Sequence, residues 1–241
     1  MNKIVNFVIS FIFPRTCSLC GKTFHYDYEY NICNNCLKKL PELEQVLICK
    51  KCSLPLSSLQ KDCPDCKNNK KVYFNVLKSP YIYSGSIKML IKELKYFQKA
   101  FLAKDLSLLL ADFIFKQNID KETDIIIAVP MFKIKKLLRG YNQAALLAEG
   151  VSNIIKKPVL QNVLLRKKHT EAQFKLSKLQ RHKNLENMFY INEKYSGIIK
   201  NKNVLLVDDV ATTCATVNQC SKILKEKGVG KIVAVTLARA K

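Results

Sequence analysis

The chain has 241 residues, 48% apolar and 25% charged, a balance that excludes wholesale disorder and leaves ample material for one large domain or two smaller ones. Forty-one Lys and Arg against 19 acids give a formal charge of +22, which favours anionic partners: nucleic acid, phosphorylated metabolites or acidic lipid. No apolar run approaches the roughly 20 residues of a membrane-spanning helix.

Residues 1–14 form an apolar lead. Its core, Val5 to Phe13, is short, ends at Pro14 and has no small-residue cleavage site, so it reads as a segment packed on the protein rather than a signal peptide. A membrane-surface role is the alternative.

Residues 15–75 read as a double zinc ribbon. Eight of the ten cysteines fall in four Cys-x-x-Cys pairs: Cys17/Cys20, Cys33/Cys36, Cys49/Cys52 and Cys63/Cys66. With no export signal the compartment is read as reducing and cytoplasmic, which favours metal over disulfides. Each pair points two thiolates at one ion, and a closed tetrahedral site needs two pairs. The gaps of 12 and 10 residues allow Cys17, Cys20, Cys33 and Cys36 on one zinc and Cys49, Cys52, Cys63 and Cys66 on the other. An interleaved pairing satisfies the same spacing. Both sites read as structural, because four thiolates leave no open coordination position.

Residues 76–241 read as an α/β domain. Ile87, Leu90, Ile91 and Leu94 make one amphipathic helical stripe, and a second helical stretch covers residues 100–116. Asp124 to Val129 is a buried strand, followed by a helix carrying Leu147, Val151, Ile154 and Ile155. Val204 to Val207 is the next buried strand, then a helix from Ala215 to Lys227 stopped by Gly228, and a closing strand from Ile232 to Leu237. Alternating strands and helices imply a doubly wound parallel sheet, whose ligands sit at the carboxyl ends of the strands.

The most informative stretch follows Val207. Asp208 and Asp209 stand side by side, and Val210, Ala211, Thr212, Thr213, Cys214, Ala215 and Thr216 lead into a helix. Free amides at a helix start bind phosphate, with threonine hydroxyls adding donors. Adjacent carboxylates accept hydrogen bonds from a vicinal diol and offset positive charge developing on a ribose ring. A phosphate binder beside a diol binder describes a 5-phosphoribosyl group. A capped helix beside two solvated acids is the plainer reading of the same residues.

Basic residues concentrate in one region. Residues 133–185 hold 13 Lys/Arg against Glu149 and Glu171. Lys133, Lys135, Lys136 and Arg139 follow the strand at Val129; Arg166, Lys167, Lys168 and Arg181 belong to a second cluster. The ribbon stretch becomes nearly neutral once its thiolates and zinc ions are included, so a polyanion would choose the α/β domain. A track for single-stranded DNA and a plain solvated lysine face are both consistent with this pattern.

The stretch from Val204 to Thr216 resembles the phosphoribosyl-diphosphate (PRPP) signature of type I phosphoribosyltransferases. Together with the cysteine pairs, Phe13-Pro14, Tyr83 to Gly85 with Lys92 and Lys95, Arg139 to Gln143, Arg166 with Thr170 and Gln173, and Arg181 with Asn184 and Phe189, the whole chain resembles the ComF family. The resemblance implies a type I phosphoribosyltransferase-like fold behind a double zinc ribbon. It also implies a role in natural transformation, handling incoming single-stranded DNA with the uptake machinery at the cytoplasmic face of the inner membrane. By position, Asp208 and Asp209 would hold the ribose hydroxyls, residues 211–216 the 5-phosphate, and the loop reaching Arg139 the pyrophosphate, with Mg²⁺ bridging diphosphate and ribose. The basic region around residues 166–183 would be the loop that closes over substrate. Related members are described either as amidophosphoribosyltransferase-like enzymes or as proteins of unassigned activity, so an active transferase with an unidentified acceptor is the alternative. A ribbon scaffold with an inactive second domain is a third reading. This chain departs from the family pattern at Cys214, where glycine is usual. If the backbone there has positive φ, a Cβ costs roughly 1–2 kcal/mol.

Overall fold

The computed structural model describes residues 15–24, 31–58, 62–68, 71–95, 99–166 and 188–240. The apolar lead and the basic positions Lys167, Lys168 and Arg181 fall outside the described residues.

The cysteine knuckles organise the first part. β1 (Arg15–Thr16) and β2 (Thr23–Phe24) pair antiparallel around Cys17 and Cys20. Gly21 follows the knuckle at φ +71°, a conformation a side chain would strain. Cys33 precedes α1 (Asn34–Leu37) and Cys63 precedes α2 (Pro64–Asn68), so the second knuckle of each ribbon opens a single helical turn.

The remaining elements are, in chain order, β3 (Val76–Lys78), β4 (Tyr81–Ile82), α3 (Gly85–Glu93), α4 (Leu102–Lys116), β5 (Ile125–Ala128), α5 (Lys133–Arg139), α6 (Gln143–Ile155), β6 (Val159–Leu160), β7 (Leu164–Arg166), β8 (Phe189–Ile191), α7 (Ser196–Ile199), β9 (Val204–Ala211), α8 (Ala215–Glu226) and β10 (Ile232–Arg239). The main sheet has the order β3-β10-β9-β5-β6, with β4 also on β10, and its pairs are parallel. β7 and β8 form a separate antiparallel pair.

The apolar runs dictate this layering. β9 buries alternate residues on opposite faces of the sheet. Leu205 and Val207 join Leu106, Leu110, Leu147 and Val151 of α4 and α6. Val204 and Leu206 join Val217, Cys220 and Leu224 of α8. Helices on both faces make the sheet doubly wound. α4 and α6 approach closely at Gly150, where an added Cβ would lie 2.2 Å from Ser107 Oγ.

Two differences from the sequence reading concern the site. β9 does not end at Val207: its pairing with β10 continues through Asp208, Val210 and Ala211, so the two acids belong to the strand. Residues 133–139, expected as a loop, form α5. Its lysines, leucines and arginine are strong helix formers, and Gly140 at φ +80° terminates it. The apolar members Ile134, Leu137 and Leu138 are exposed, so no buried stripe marked the helix in the sequence.

Candidate functional site

Parallel order places the carboxyl ends of β5 and β9 side by side, and the candidate residues gather there. Asp208 and Asp209 follow the buried run at 204–207 of β9, both half-buried. Each orders its own turn: Asp209 N–H donates to Asp208 Oδ1 at 2.9 Å, and Val210 N–H donates to Asp209 Oδ1 at 2.9 Å. Lys95, just beyond α3, lies 3.2 Å from Asp209 Oδ2. Asp208 is shifted by its surroundings. Burial, and then the neighbouring charge of Asp209, lift its carboxyl well above the ordinary carboxylate range, against the Asp209 N–H and Lys95.

The turn then exposes Thr212 and Thr213, buries Cys214 and enters α8 at Ala215. Cys214 is the N-cap residue at φ +57° and offers no side-chain cap. The first amides of this 12-residue helix are therefore uncapped by a side chain and lie beside two exposed hydroxyl-bearing residues, a suitable cradle for a phosphate dianion. The left-handed backbone that the family pattern reserves for glycine is thus kept here by a cysteine.

Behind the turn stands Arg239, fully buried at the end of β10. Its Nη1 donates to the carbonyls of Ala211 at 3.1 Å, Ala240 at 2.8 Å, and Thr212. Its Nε donates to Cys52 O at 3.0 Å, and Nη2 meets the Asp65 carboxylate and lies 3.9 Å from Cys52 Sγ. Sequence reasoning missed this residue. A lone arginine ending an apolar strand was the only local signal.

The eight knuckle cysteines form two groups, Cys17, Cys20, Cys33, Cys36 and Cys49, Cys52, Cys63, Cys66, each with all four sulfurs within 4.8 Å of one another. The pairing is sequential, not interleaved. Tetrahedral zinc with Zn–S of about 2.3 Å sets sulfurs about 3.8 Å apart. Cys20–Cys33 measures 3.8 Å, Cys49–Cys66 3.9 Å and Cys52–Cys63 3.4 Å, far longer than the roughly 2.05 Å of a disulfide. Both donor sets fit zinc and leave it no open position. A hydrogen bond from the Cys214 thiol is the main cause that lowers Cys52 to about 4. The same bond, with burial, pushes Cys214 far up.

The basic positions divide. Lys133, Lys135 and Lys136 are exposed on α5, and Arg139 closes it half-buried. Arg166, at the end of β7, lays its guanidinium over the Phe132 ring at 3.5 Å and near Phe189 at 5.0 Å. Its Nε is buried without a hydrogen-bond partner among the described residues. Lys133, Lys136 and Arg166 line one cavity of about 150 Å³, together with Asn142 and Gln161.

Comparison with known proteins agrees with this architecture. Residues 8–67 match the double zinc ribbon domain family. Competence protein F of Haemophilus influenzae is 32% identical over 237 residues, spanning 95% of this chain and 98% of its own. The DNA utilization protein YhgH of Salmonella typhimurium is 26% identical over 229 residues, spanning 94% and 97%. The solved purine phosphoribosyltransferase of Pyrococcus horikoshii covers 57% of this chain and 72% of its own at 20% identity, with a TM-score of 0.36, a likeness that adds nothing to the sheet order above. On the full-length match to competence protein F, the chain belongs to the ComF family, with a double zinc ribbon ahead of a parallel α/β sheet.

Proposed function

We propose that this chain binds 5-phosphoribosyl diphosphate with Mg²⁺ at the turn from β9 to α8 and holds single-stranded DNA on its basic face, acting in DNA uptake. The observation that carries the first part is the succession of Asp208, Asp209, exposed Thr212 and Thr213, and the uncapped start of α8 on one continuous segment. The ring hydroxyls would meet the two carboxylates. The 5-phosphate would take the amides and hydroxyls of residues 211–216, and Arg139 would face the diphosphate. Mg²⁺ is held by one or two carboxylates plus substrate phosphates, a donor set that Asp208 and Asp209 can complete; bound there, it would neutralise the diphosphate.

The role in DNA uptake draws on the names of the relatives, one a competence protein and another a DNA utilization protein. The strand-holding part draws on the exposed Lys133, Lys135 and Lys136, with Arg166, Lys167, Lys168 and Arg181 next in sequence. No helix among the described residues is long and apolar enough to cross a membrane. Work at the cytoplasmic face of the inner membrane, beside the uptake machinery, would thus rest on peripheral contacts. The test is binding of an oligonucleotide and of the sugar diphosphate to the same preparation. Undetectable or salt-independent oligonucleotide binding would remove the DNA half.

A transferase reading draws on the cavity at the end of β5, which offers about 150 Å³ for a small acceptor. Pyrophosphate release in the presence of a nucleobase, amine or glutamine would establish it.

A further inference from the structure

The second four-cysteine site and the candidate phosphate turn are fastened together at two points, and both fastenings meet at Cys52. From below, the single guanidinium of Arg239 binds the Ala211 and Thr212 carbonyls with one nitrogen and the Cys52 carbonyl with another. Its third nitrogen reaches Asp65, which lies between ligands Cys63 and Cys66, so both knuckles of the site are tied to the turn through one buried cation. At the far end of the turn, Cys214 is buried in the same side-chain cluster as Cys52. The exposed pair Thr212 and Thr213 is thus suspended between two anchors that share one zinc ligand.

The first four-cysteine site docks elsewhere. Asn31 binds buried Asp105 of α4 through its N–H at 2.9 Å and its side-chain amide at 3.2 Å.

We propose that metal occupancy of the second four-cysteine site and phosphate binding at the turn are thermodynamically linked, with Arg239 and Cys214 as the positioning residues that carry the linkage. The inference rests on reading residues 211–216 as a phosphate site. Its physical basis is direct. Zinc holds Cys52 and Asp65 in the positions that Arg239 needs. Loss of the metal frees both knuckles, leaves a buried guanidinium short of two partners, and releases the turn from a left-handed Cys214 that is strained without support. Linkage is reciprocal, so a ligand on the turn must slow metal loss from this site by the same coupling.

The full chain loaded with ¹¹³Cd provides the test, since each four-cysteine site gives its own resonance, assigned through the cysteine β protons. Ribose 5-phosphate is the probe, and calorimetry reports its binding independently. We expect the second site's resonance to shift on titration while the first site's stays in place. Chelator removal of the second metal should slow by about five-fold or more, the lower end of common allosteric couplings. In the ligand-free chain, Cys214→Ala, which empties packing volume in the cluster that holds Cys52, should speed removal from the second site alone. Ribose 5-phosphate that binds without altering the second resonance or its removal rate overturns the linkage. If calorimetry shows no binding, the phosphate reading fails instead, and the ligand-free comparison decides: equal removal rates in wild type and Cys214→Ala overturn the anchoring role.

Discussion

Asp208→Asn separates a carboxylate kept for ligand from one kept for structure. Asp208 has its proton affinity raised by burial and by Asp209, so between the ordinary carboxylate range and its own raised value the folded chain binds more protons than the unfolded one. Stability therefore falls as pH rises through that window, and the full cost is present above it. The amide has the same shape and no proton to lose. Asp208→Asn should be more stable than wild type at pH 8.5, by about 0.5–2 kcal/mol, the usual gain when a strained functional residue is relieved. The advantage should shrink as pH falls toward 4. Asp209→Asn is the comparison: it keeps the ionisable Asp208 but removes the neighbouring charge, so a smaller penalty at high pH should remain. It removes a 3.2 Å ion pair whose side chains are 31% and 17% exposed, worth about 0–1 kcal/mol in either direction after solvent screening. Urea unfolding of all three proteins at several pH values measures this. An Asp208→Asn protein less stable than wild type at high pH, or an advantage that grows on acidification, refutes the reasoning.

Further expectations follow from the same geometry. The purified chain should carry two zinc ions, and Cys66→Ser should reduce this to one, by elemental analysis; a metal-free folded chain would contradict the assignment of the two cysteine clusters as zinc sites. Gly150→Ala should destabilise despite better helix propensity, because its Cβ would lie 2.2 Å from Ser107 Oγ and 2.5 Å from Ser107 Cβ. Overpacking of about 1–3 kcal/mol outweighs a propensity gain of about 1 kcal/mol, and a melting temperature equal to or above wild type would count against the tight α4–α6 packing. Replacing Lys133, Lys135 and Lys136 by Gln should weaken oligonucleotide binding at every sequence and flatten its salt dependence by about 0.7 in log–log slope for each phosphate no longer neutralised. An unchanged slope would exclude α5 from the interface.

The legible parts of this protein are those where chemistry is local. Cys-x-x-Cys spacing announces the ribbons, because neighbouring thiolates must share an ion. The runs at 125–128, 204–207 and 232–237 announce buried parallel strands, and the residues from Asp208 to Thr216 mark where a strand hands over to a helix. What escaped depended on distance in sequence or on exposure. Arg239 gains its meaning from Cys52 and Asp65, 187 and 174 residues away. Lys95 was noted for family resemblance, but its pairing with Asp209 needed the fold. α5 hid because its leucines face solvent, so apolar periodicity had no buried side to detect. Cys214 reads as a liability at a glycine position, and only the fold shows that it is buried in one cluster with Cys52 of the second ribbon.

The decisive question is whether the acids and amides at the end of β9 hold a phosphorylated ribose. Calorimetric titration of 5-phosphoribosyl diphosphate with Mg²⁺ addresses this directly, comparing wild type with the Asp208→Asn/Asp209→Asn double variant, whose fold is checked by its urea transition. Saturable binding in wild type, weakened about 100-fold or more in the double variant, is the predicted result, as expected for losing two charge-assisted hydrogen bonds. No binding in wild type, or equal affinity in both proteins, would contradict it.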